Sequence, residues 1–426
     1  MSKYVIVGAS AAGIGAVEAI REVDPVGTVT VISEEPCPQY SRPMISDLVS
    51  GKANFEKMMC REDEFWEKNE VQALTGRTAL SLNLTEKYVA LDRGDRVNFE
   101  KLLIATGGKP FVPKIEGADK DGVFTFTTLS DAERLLARIE NAKSAVVIGG
   151  GLIGVSVTEA LVKRGLKVTM VELKDKILSL ILDPTASEMV ENVISKAGVT
   201  IVTGQSVQRV TGKPEDENVV GGAILTSGEQ VQCDLVIIAI GVIPRMELVS
   251  GTDVKTNRGI IVDRFMRTNV SDVYASGDVA EAYDFVLGEN RLLPLWPLAQ
   301  LEGKVAGYNM AGKKADYPGG TAMSALKYFD IPIISVGIAN PQEDAAYECL
   351  VKHEPEKNLY KKIVLKDNVI VGMTLVNEIE QAGVLFHLMK NGANVKKFKQ
   401  ELLSEDFCLA TVPRSLRRKV YPGEYK

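Results

Sequence analysis

The chain has 426 residues, 45% of them hydrophobic and 25% charged, and such values are ordinary for a globular protein of two or three domains. Its net charge of −6 argues against nucleic acid as a main partner, because phosphate contacts need a basic surface. Five cysteines without a CxxC pair, two histidines and no apolar run of transmembrane length give no pattern for a disulfide framework, a metal site or a membrane anchor, and we expect a cytoplasmic protein.

The first predicted elements are a strand, a glycine-containing turn and a helix. Tyr4–Val7 has the pattern of a short buried strand, and the turn Gly8-Ala-Ser-Ala-Ala-Gly13 leads into a helical stretch over residues 14–23. A second strand over residues 28–32 ends just before Glu34. The predicted cofactor contacts in this copy are Gly8, Ser10, Ala11, Gly13 and Glu34.

About 140 residues later the same pattern returns. Ala145–Ile148 reads as a strand, Gly149-Gly-Gly-Leu-Ile-Gly154 as the turn, residues 155–164 as the helix and residues 167–171 as the second strand, which ends at Glu172. The predicted contacts in the second copy are Gly149, Gly151, Leu152, Ile153, Gly154 and Glu172. A later apolar strand ending in glycine closes each copy, at residues 101–107 and 234–241, so the chain contains two nucleotide-binding domains.

This pattern suits a dinucleotide because a pyrophosphate binds the free N–H groups and the positive dipole end at a helix N-terminus. The turn must lack bulky side chains for the phosphates to approach, and Ser10 is a small replacement for the middle glycine. The acid after the second strand holds the ribose hydroxyls. A 2′-phosphate roughly 4 Å from Glu172 would be repelled by about 4 kcal/mol, which favours NADH over NADPH unless Lys174 intervenes.

From about residue 324 the sequence changes character. Residues 331–336 and 361–365 read as strands, and residues 378–390 have the apolar spacing of a helix. The segments at 107–113 and 241–244 are rich in glycine and proline, as expected where a chain crosses between domains. We therefore expect a third domain of α+β type at the end of the chain.

Together these motifs resemble the FAD-dependent pyridine nucleotide–disulfide oxidoreductase superfamily, in the branch of rubredoxin and ferredoxin reductases, NADH oxidases and the flavin subunit of nitrite reductase. Residues 273–278 are similar to the second FAD motif, in which Asp278 would bind the ribityl chain. The segment opening at Trp296, predicted to be helical to Met310, resembles the helix whose N-terminus faces the flavin, and residues 40–46 resemble a loop that packs on it. The contacts implied by the resemblance are Arg42, Pro43, Ala79, Ala105, Thr106, Gly107, Asp278, Pro297 and Ala299 for FAD, with Gly241 as the counterpart of Gly107 in the second copy.

The resemblance also implies an α/β architecture with two Rossmann-like domains. An FAD-binding domain would comprise residues 1–112 and 245–318, interrupted by an NAD(P)-binding domain at 113–244. Residues 319–426 would form an interface domain, of the kind that often makes a homodimer.

Several positions depart from the family pattern. The redox cysteine of the disulfide-reducing members is missing at residues 41–43, and Cys37 lies a few residues too early. Asp47, Thr127 and Ser156 stand where related reductases often carry Lys, Arg and Glu. We predict no catalytic side chain, because hydride transfer between stacked nicotinamide and flavin rings needs orientation rather than acid–base chemistry.

The leading hypothesis is an NADH:electron-carrier oxidoreductase that reduces ferredoxin, rubredoxin or another iron–sulfur protein. One alternative is an NADH oxidase or peroxidase, or a persulfide reductase, which would need redox chemistry at Cys37. Another is a flavin-binding, NADH-sensing scaffold subunit. The basic cluster Arg414, Arg417, Arg418 and Lys419 is interpreted either as a dock for an acidic carrier or as a solvated tail.

Overall fold

The computed structural model describes residues 2–341 and 346–417. The chain divides into two units, each with its own internal contacts. The first unit comprises residues 1–111, 127–132 and 242–320, and the second comprises residues 112–126, 133–241 and 321–426.

Residues 2–111 build a sheet around a central strand in the first unit. The strands of this segment are β1 (Ser2–Val7), β2 (Val29–Ser33), β3 (Val71–Thr75), β4 (Ala79–Asn83), β5 (Tyr88–Leu91), β6 (Arg96–Ile104) and, outside this sheet, β7 (Gly108–Pro110). Its helices are α1 (Ala11–Val23), α2 (Ile45–Ser50), α3 (Phe55–Met58) and α4 (Phe65–Lys68). β1 lies between β2 and β6, parallel to both, and Val5 and Ile6 are fully buried, as expected for a strand covered on both faces. β3 adds a further parallel strand, while β5 and β4 add antiparallel strands.

Residues 112–241 build the corresponding sheet in the second unit, apart from the short stretch 127–132, which belongs to the first unit and contains the first four residues of the helix over 129–139. The strands are β8 (Val123–Thr125), β9 (Ser144–Ile148), β10 (Lys167–Glu172), β11 (Thr200–Thr203), β12 (Val207–Lys213), β13 (Asp216–Leu225), β14 (Gln230–Gln232) and β15 (Leu235–Ile238), and the helices are α5 (Leu129–Ile139), α6 (Leu152–Lys163) and α7 (Pro184–Lys196). The parallel order β11-β10-β9-β15 repeats β3-β2-β1-β6, which confirms two Rossmann-like sheets. β12, β13 and β14 form a separate antiparallel sheet.

Residues 242–320 return to the first unit. They contain β16 (Val242–Pro244), β17 (Ile260–Ile261), β18 (Val273–Ala275), β19 (Ala280–Asp284), β20 (Glu289–Leu292) and α8 (Trp296–Met310). β18 pairs with β6 in parallel and so completes the first sheet. α8 packs so closely on α1 that a methyl group added at Gly303 would lie 2.0 Å from the carbonyl oxygen of Ala12. The bounds of α8 are those predicted from the sequence.

The last described segment belongs to the second unit and forms an antiparallel sheet. Its strands are β21 (Met323–Tyr328), β22 (Ile331–Gly337), β23 (Tyr347–Glu354), β24 (Leu359–Lys366) and β25 (Val369–Val376), in the order β21-β22-β25-β24-β23, and its helices are α9 (Ala382–Lys390) and α10 (Arg414–Arg417). β22 and β24 contain the two strands predicted here. In the described ranges, no helix combines the length and apolar character needed to cross a bilayer.

The predicted helix at 378–390 begins four residues too early. α9 starts at Ala382, and the preceding Gln381 is held by contacts that are distant in sequence. Its amide donates to the carbonyl oxygens of Ser404 and Glu405 at 2.9 and 2.8 Å, and its own oxygen accepts from the buried Lys361. Because these bonds hold Gln381 in place, the polar residues at the start of the predicted segment lie before the helix.

Candidate functional site

The glycine turn of the first unit has a backbone that only glycine fits. Gly8 follows β1 with φ +124°, and its N–H donates to the carbonyl oxygen of Ile32 at 2.8 Å. A methyl group at Gly8 would lie 2.0 Å from the carbonyl oxygen of Ala105, and one at Gly13 would lie 2.0 Å from that of Gly8. The turn therefore packs tightly between β6 and α1 only because both positions lack a side chain.

The glycine turn of the second unit repeats this geometry. Gly149 has φ +109°, and its N–H donates to the carbonyl oxygen of Val171 at 2.8 Å. A methyl group at Gly149 would lie 2.5 Å from the carbonyl oxygen of Ala239, and one at Gly154 would lie 1.9 Å from that of Gly149. Gly8 and Gly149 are thus structural counterparts, and so are Ser10 and Gly151.

Both helices that follow the turns begin without a side-chain cap. Ser10 and Gly151 are the extended residues before α1 and α6, and neither donates or accepts a capping side-chain bond. A methyl group at Gly151 would meet nothing within 4 Å. The first N–H groups of a helix have no partner inside it, so each helix start offers donors and positive dipole to an anion. Both turns fit the pyrophosphate of a dinucleotide.

In the second unit, a carboxylate lies against the turn. Glu172 ends β10, and its side chain accepts the backbone N–H groups of Gly150 and Lys174 at 2.5 and 2.8 Å. The position predicted for ribose recognition is therefore fixed beside the pyrophosphate cradle. Lys174 itself is exposed.

The acids of the two copies are not structural counterparts. β1 pairs Val7 with Ile32, as β9 pairs Ile148 with Val171, so Ser33 occupies the place of Glu172. Glu34 lies one residue further and forms an ion pair with Arg245. The sequence comparison missed this offset because the connection between α1 and β2 is longer than that between α6 and β10.

In the first unit, several predicted contacts converge around the second FAD motif. A methyl group at Gly277 would lie 3.4 Å from the Cβ atoms of both Ala12 and Ala299, so the first turns of α1 and α8 meet at this glycine. Burial raises the pKa of the neighbouring Asp278, and the charge of Arg42 acts in the opposite direction. Asp278 therefore follows a glycine at which two helix starts meet.

The loop that carries Arg42 is anchored by contacts the sequence did not reveal. The Tyr40 hydroxyl donates to Glu35 at 2.6 Å and accepts the N–H of Leu129 at 2.9 Å. Arg42 forms an ion pair with Glu35 and donates to the carbonyl oxygen of Thr127 at 3.0 Å. Glu35, adjacent to the predicted Glu34, is thus the acid that fixes this loop.

Two further predicted glycines lie shortly after β6 and β15. Gly107 and Gly241 have φ +69° and +115°, with open space where a Cβ would be. The Thr106 hydroxyl donates to the carbonyl oxygen of Arg245 at 2.7 Å. The other predicted positions have apolar side chains: Ala11 in α1, Pro43 after Arg42, Ala79 opening β4, Ala105 after β6, Pro297 in α8, and Leu152 and Ile153 opening α6.

A buried glutamate beneath the first site was not predicted. Glu302 is 2% exposed, and its carboxylate accepts the N–H of Gly277 at 2.8 Å. Burial raises its pKa to about 8, and the nearby charge of Asp278 acts in the same direction. The sequence gives little sign of this role, because α8 also contains the charged Lys304 and the polar Gln300 and Asn309.

We expect Glu302 to make the stability of the cofactor-free protein depend on pH. Because its folded pKa lies above the unfolded value, the folded state binds the extra proton, and stability is lost as pH rises through about 8. Glu302→Gln keeps the acceptor for Gly277 without the charge and should be more stable than wild type above pH 8 by roughly 1–3 kcal/mol. Urea unfolding at pH 5 and pH 9 measures this difference. Equal pH dependence in the two proteins would contradict the expectation.

Other singled-out residues lie outside these sites or outside the described ranges. Cys37 is half-buried in the loop after β2. Arg414 and Arg417 are in α10, while Arg418 and Lys419 fall outside the described residues. No group of three or more potential metal-ligating side chains was found among the described residues.

Comparison with known proteins finds two matching family models. The first, described as pyridine nucleotide-disulphide oxidoreductase, matches residues 2–303. The second, described as rubredoxin NAD+ reductase C-terminal domain, matches residues 323–393.

Similar proteins extend over most of the chain. The NADH-dependent phenylglyoxylate dehydrogenase subunit epsilon of Aromatoleum evansii is 34% identical over 393 residues, which cover 91% of each protein. The rubredoxin-NAD(+) reductase of Alcanivorax borkumensis is 30% identical over 379 residues, covering 89% of this chain and 96% of the relative. The solved structure of an NAD-dependent persulfide reductase from A. fulgidus has a TM-score of 0.87 at 27% identity, covering 93% of this chain and 78% of that one.

Proposed function

The chain belongs to the pyridine nucleotide-disulphide oxidoreductase family, and from this premise we propose that it oxidises NADH through FAD and delivers the electrons to an iron–sulfur or rubredoxin-type carrier protein. The observation that carries the proposal is the repeated turn. One chain holds two glycine turns with matching backbone geometry, and in the first unit Gly277, which precedes Asp278, lies where the first turns of α1 and α8 meet.

FAD is assigned to the first unit. The turn from Gly8 to Gly13 would hold its pyrophosphate, and Glu34 would lie near the ribose. Asp278 would bind the ribityl chain. The start of α8 gives positive dipole for the flavin ring. Arg42, fixed through Glu35, would border the ring.

NADH is assigned to the second unit. The turn from Gly149 to Gly154 would hold its pyrophosphate, and Glu172 its ribose hydroxyls. When bound, the two cofactors supply hydride transfer themselves, so the protein contributes orientation and electrostatics rather than an acid or base. The three-domain division, with residues 1–112 and 245–318, 113–244 and 319–426, and a homodimer formed through the last domain, belong to the same proposal.

Glu172 should set the choice between NADH and NADPH. Its carboxylate repels a 2′-phosphate, so Glu172→Ala should raise kcat/KM for NADPH relative to NADH by about 10- to 100-fold. Steady-state kinetics with both nucleotides and a dye acceptor measure the ratio. Lys174→Ala is the matched control, because it removes a neighbouring charge of the opposite sign, and it should move the ratio towards NADH. A ratio that stays unchanged in Glu172→Ala would argue against this role.

The names of the relatives support a protein acceptor. One similar protein is a rubredoxin reductase, and another is a subunit of a larger NADH-dependent dehydrogenase. The second name also favours a chain that works beside other subunits, as in the scaffold hypothesis. The similarity to a persulfide reductase supports the alternative in which the electron acceptor is a small molecule.

Reduction of candidate acceptors tests the proposal. Purified FAD-loaded protein and its Cys37→Ser variant are supplied with NADH and with rubredoxin, ferredoxin, oxygen, a persulfide or a viologen dye. We expect fast reduction of at least one carrier protein, equal in both proteins. Turnover confined to oxygen or persulfide and abolished by Cys37→Ser would replace the proposal with the oxidase or persulfide reductase alternative. No turnover with any acceptor, dyes included, would favour the scaffold.

A further inference from the structure

The C-terminal sheet reaches the start of the second nucleotide-binding helix through one tyrosine. Tyr328 ends β21 and is 6% exposed. Its hydroxyl donates to the carbonyl oxygen of Leu152 at 3.0 Å and accepts the hydroxyl of Ser156 at 3.1 Å. Burial raises the pKa of Tyr328 to about 12, so this hydroxyl remains a donor near neutral pH. The contact joins two segments of the same unit that are far apart in sequence.

The contact acts on a peptide group of the cradle. Leu152 is the first residue of α6, and its carbonyl belongs to the same rigid peptide as the N–H of Ile153. In a helix this N–H points towards the N-terminus, where the pyrophosphate would lie. A donor on the carbonyl fixes the orientation of the peptide and polarises its N–H, which makes that N–H a stronger donor to an anion.

The hairpin that presents Tyr328 adopts an unusual turn. Tyr328 pairs with Ile331, which leaves Phe329 and Asp330 as a two-residue connection with φ +47° and +68°. Such a turn favours glycine or asparagine, so a phenylalanine there is conformationally costly. The N–H of Phe329 donates to the Glu159 carboxylate of α6 at 3.1 Å. The hairpin is thus held against α6 by its backbone as well as by Tyr328.

We propose that Tyr328 is a positioning residue for NADH, through which the C-terminal sheet orients the Leu152–Ile153 peptide of the pyrophosphate cradle. The inference rests on the proposed assignment of NADH to the second turn. It gives the C-terminal segment a part in cofactor binding in addition to any role as an interface. It also accounts for Ser156, whose hydroxyl supports the tyrosine.

Direct binding of NAD+ to the oxidised, FAD-loaded protein tests the proposal, because NAD+ does not reduce the flavin. Tyr328→Phe keeps the ring and removes the hydroxyl, and calorimetry should show about 3- to 10-fold weaker binding of NAD+. Flavin reduction at saturating NADH should keep its wild-type rate, so the change appears in KM and not in kcat. The FAD content should also remain unchanged.

Tyr360→Phe is the matched control. Tyr360 is a buried tyrosine of the same sheet, and its hydroxyl donates at 2.5 Å to the carboxylate of Asp183, the residue before α7, rather than to a carbonyl of α6. This variant should bind NAD+ as wild type does. Wild-type affinity in Tyr328→Phe, or an equal loss in both variants, would overturn the proposal, because the second result indicates general loosening of the sheet. A wild-type chain that fails to bind NAD+ would overturn the assignment of the second turn itself.

Hydrogen exchange of the wild-type protein provides a second test that needs no variant. Coupling between sites is reciprocal, so NAD+ should slow exchange in residues 323–337 as well as at the start of α6. Residues 347–366, which contain β23 and β24 of the same sheet, should change little. The proposal would be overturned if NAD+ slowed exchange at the start of α6 but left the exchange rates of residues 323–337 unchanged.

Discussion

Replacing Gly151 by aspartate should weaken NADH binding by about 100- to 1,000-fold while leaving the fold and the FAD content intact. The protein has room for the change, because a Cβ at this position meets no atom within 4 Å and the backbone is extended. Aspartate is also a favourable residue before a helix. A carboxylate about 4 Å from a pyrophosphate charge is repelled by about 4 kcal/mol at an effective dielectric near 20, which corresponds to the upper end of the range.

A matched variant separates this effect from the added charge alone. Gly383 lies in the first turn of α9, is exposed, and also has open space at its Cβ position. Gly383→Asp should therefore bind NAD+ as wild type does in the same calorimetric titration. Comparable weakening in the two variants, or none in Gly151→Asp, would contradict the assignment of the second cradle.

Replacing Ser10 by aspartate should weaken the binding of FAD and leave the binding of NAD+ unchanged. Ser10 is the counterpart of Gly151 and makes no side-chain capping bond, so aspartate preserves or improves the start of α1. Its charge lies where the FAD pyrophosphate would bind, and FAD affinity should fall by about 100- to 1,000-fold. The purified variant should be nearly colourless, keep its circular dichroism spectrum and still bind NAD+.

Two further variants make the Ser10 result specific. Ser10→Ala removes the hydroxyl without adding charge and should keep its FAD. Asn54→Asp adds a carboxylate before another helix of the same unit, where Asn54 already accepts the N–H of Lys57, and should also keep FAD. Loss of NAD+ binding rather than FAD in Ser10→Asp would mean that the two cofactors had been assigned to the wrong turns.

The sequence predicted those parts of the fold that depend on local pattern. The two strand–turn–helix units follow from short apolar runs and from glycines at positions where the structure leaves no room for a Cβ, such as Gly13 and Gly154. The bounds of α8 also agree with those indicated by the sequence. Buried residues recur along this helix from Ala299 to Met310. The family resemblance implied two Rossmann-like domains, and each sheet has a parallel core.

The sequence failed where a connection length or a distant partner decides the position. Glu34 was paired with Glu172 by spacing, but one longer connection places Ser33 there instead. Glu35 could not be recognised as the anchor of Arg42, because its partners come together only in the folded unit. The start of α9 was missed for the same reason, since Gln381 is held by residues about 20 positions away on either side.

Anaerobic stopped-flow mixing of the purified, FAD-loaded protein with NADH tests the central claim most directly. If the chain binds a flavin in its first unit and a nicotinamide in its second, the visible absorption of the flavin should bleach rapidly, with a rate that saturates as NADH increases. A reconstituted protein that holds no FAD, or whose bound flavin stays oxidised in excess NADH, would contradict the account.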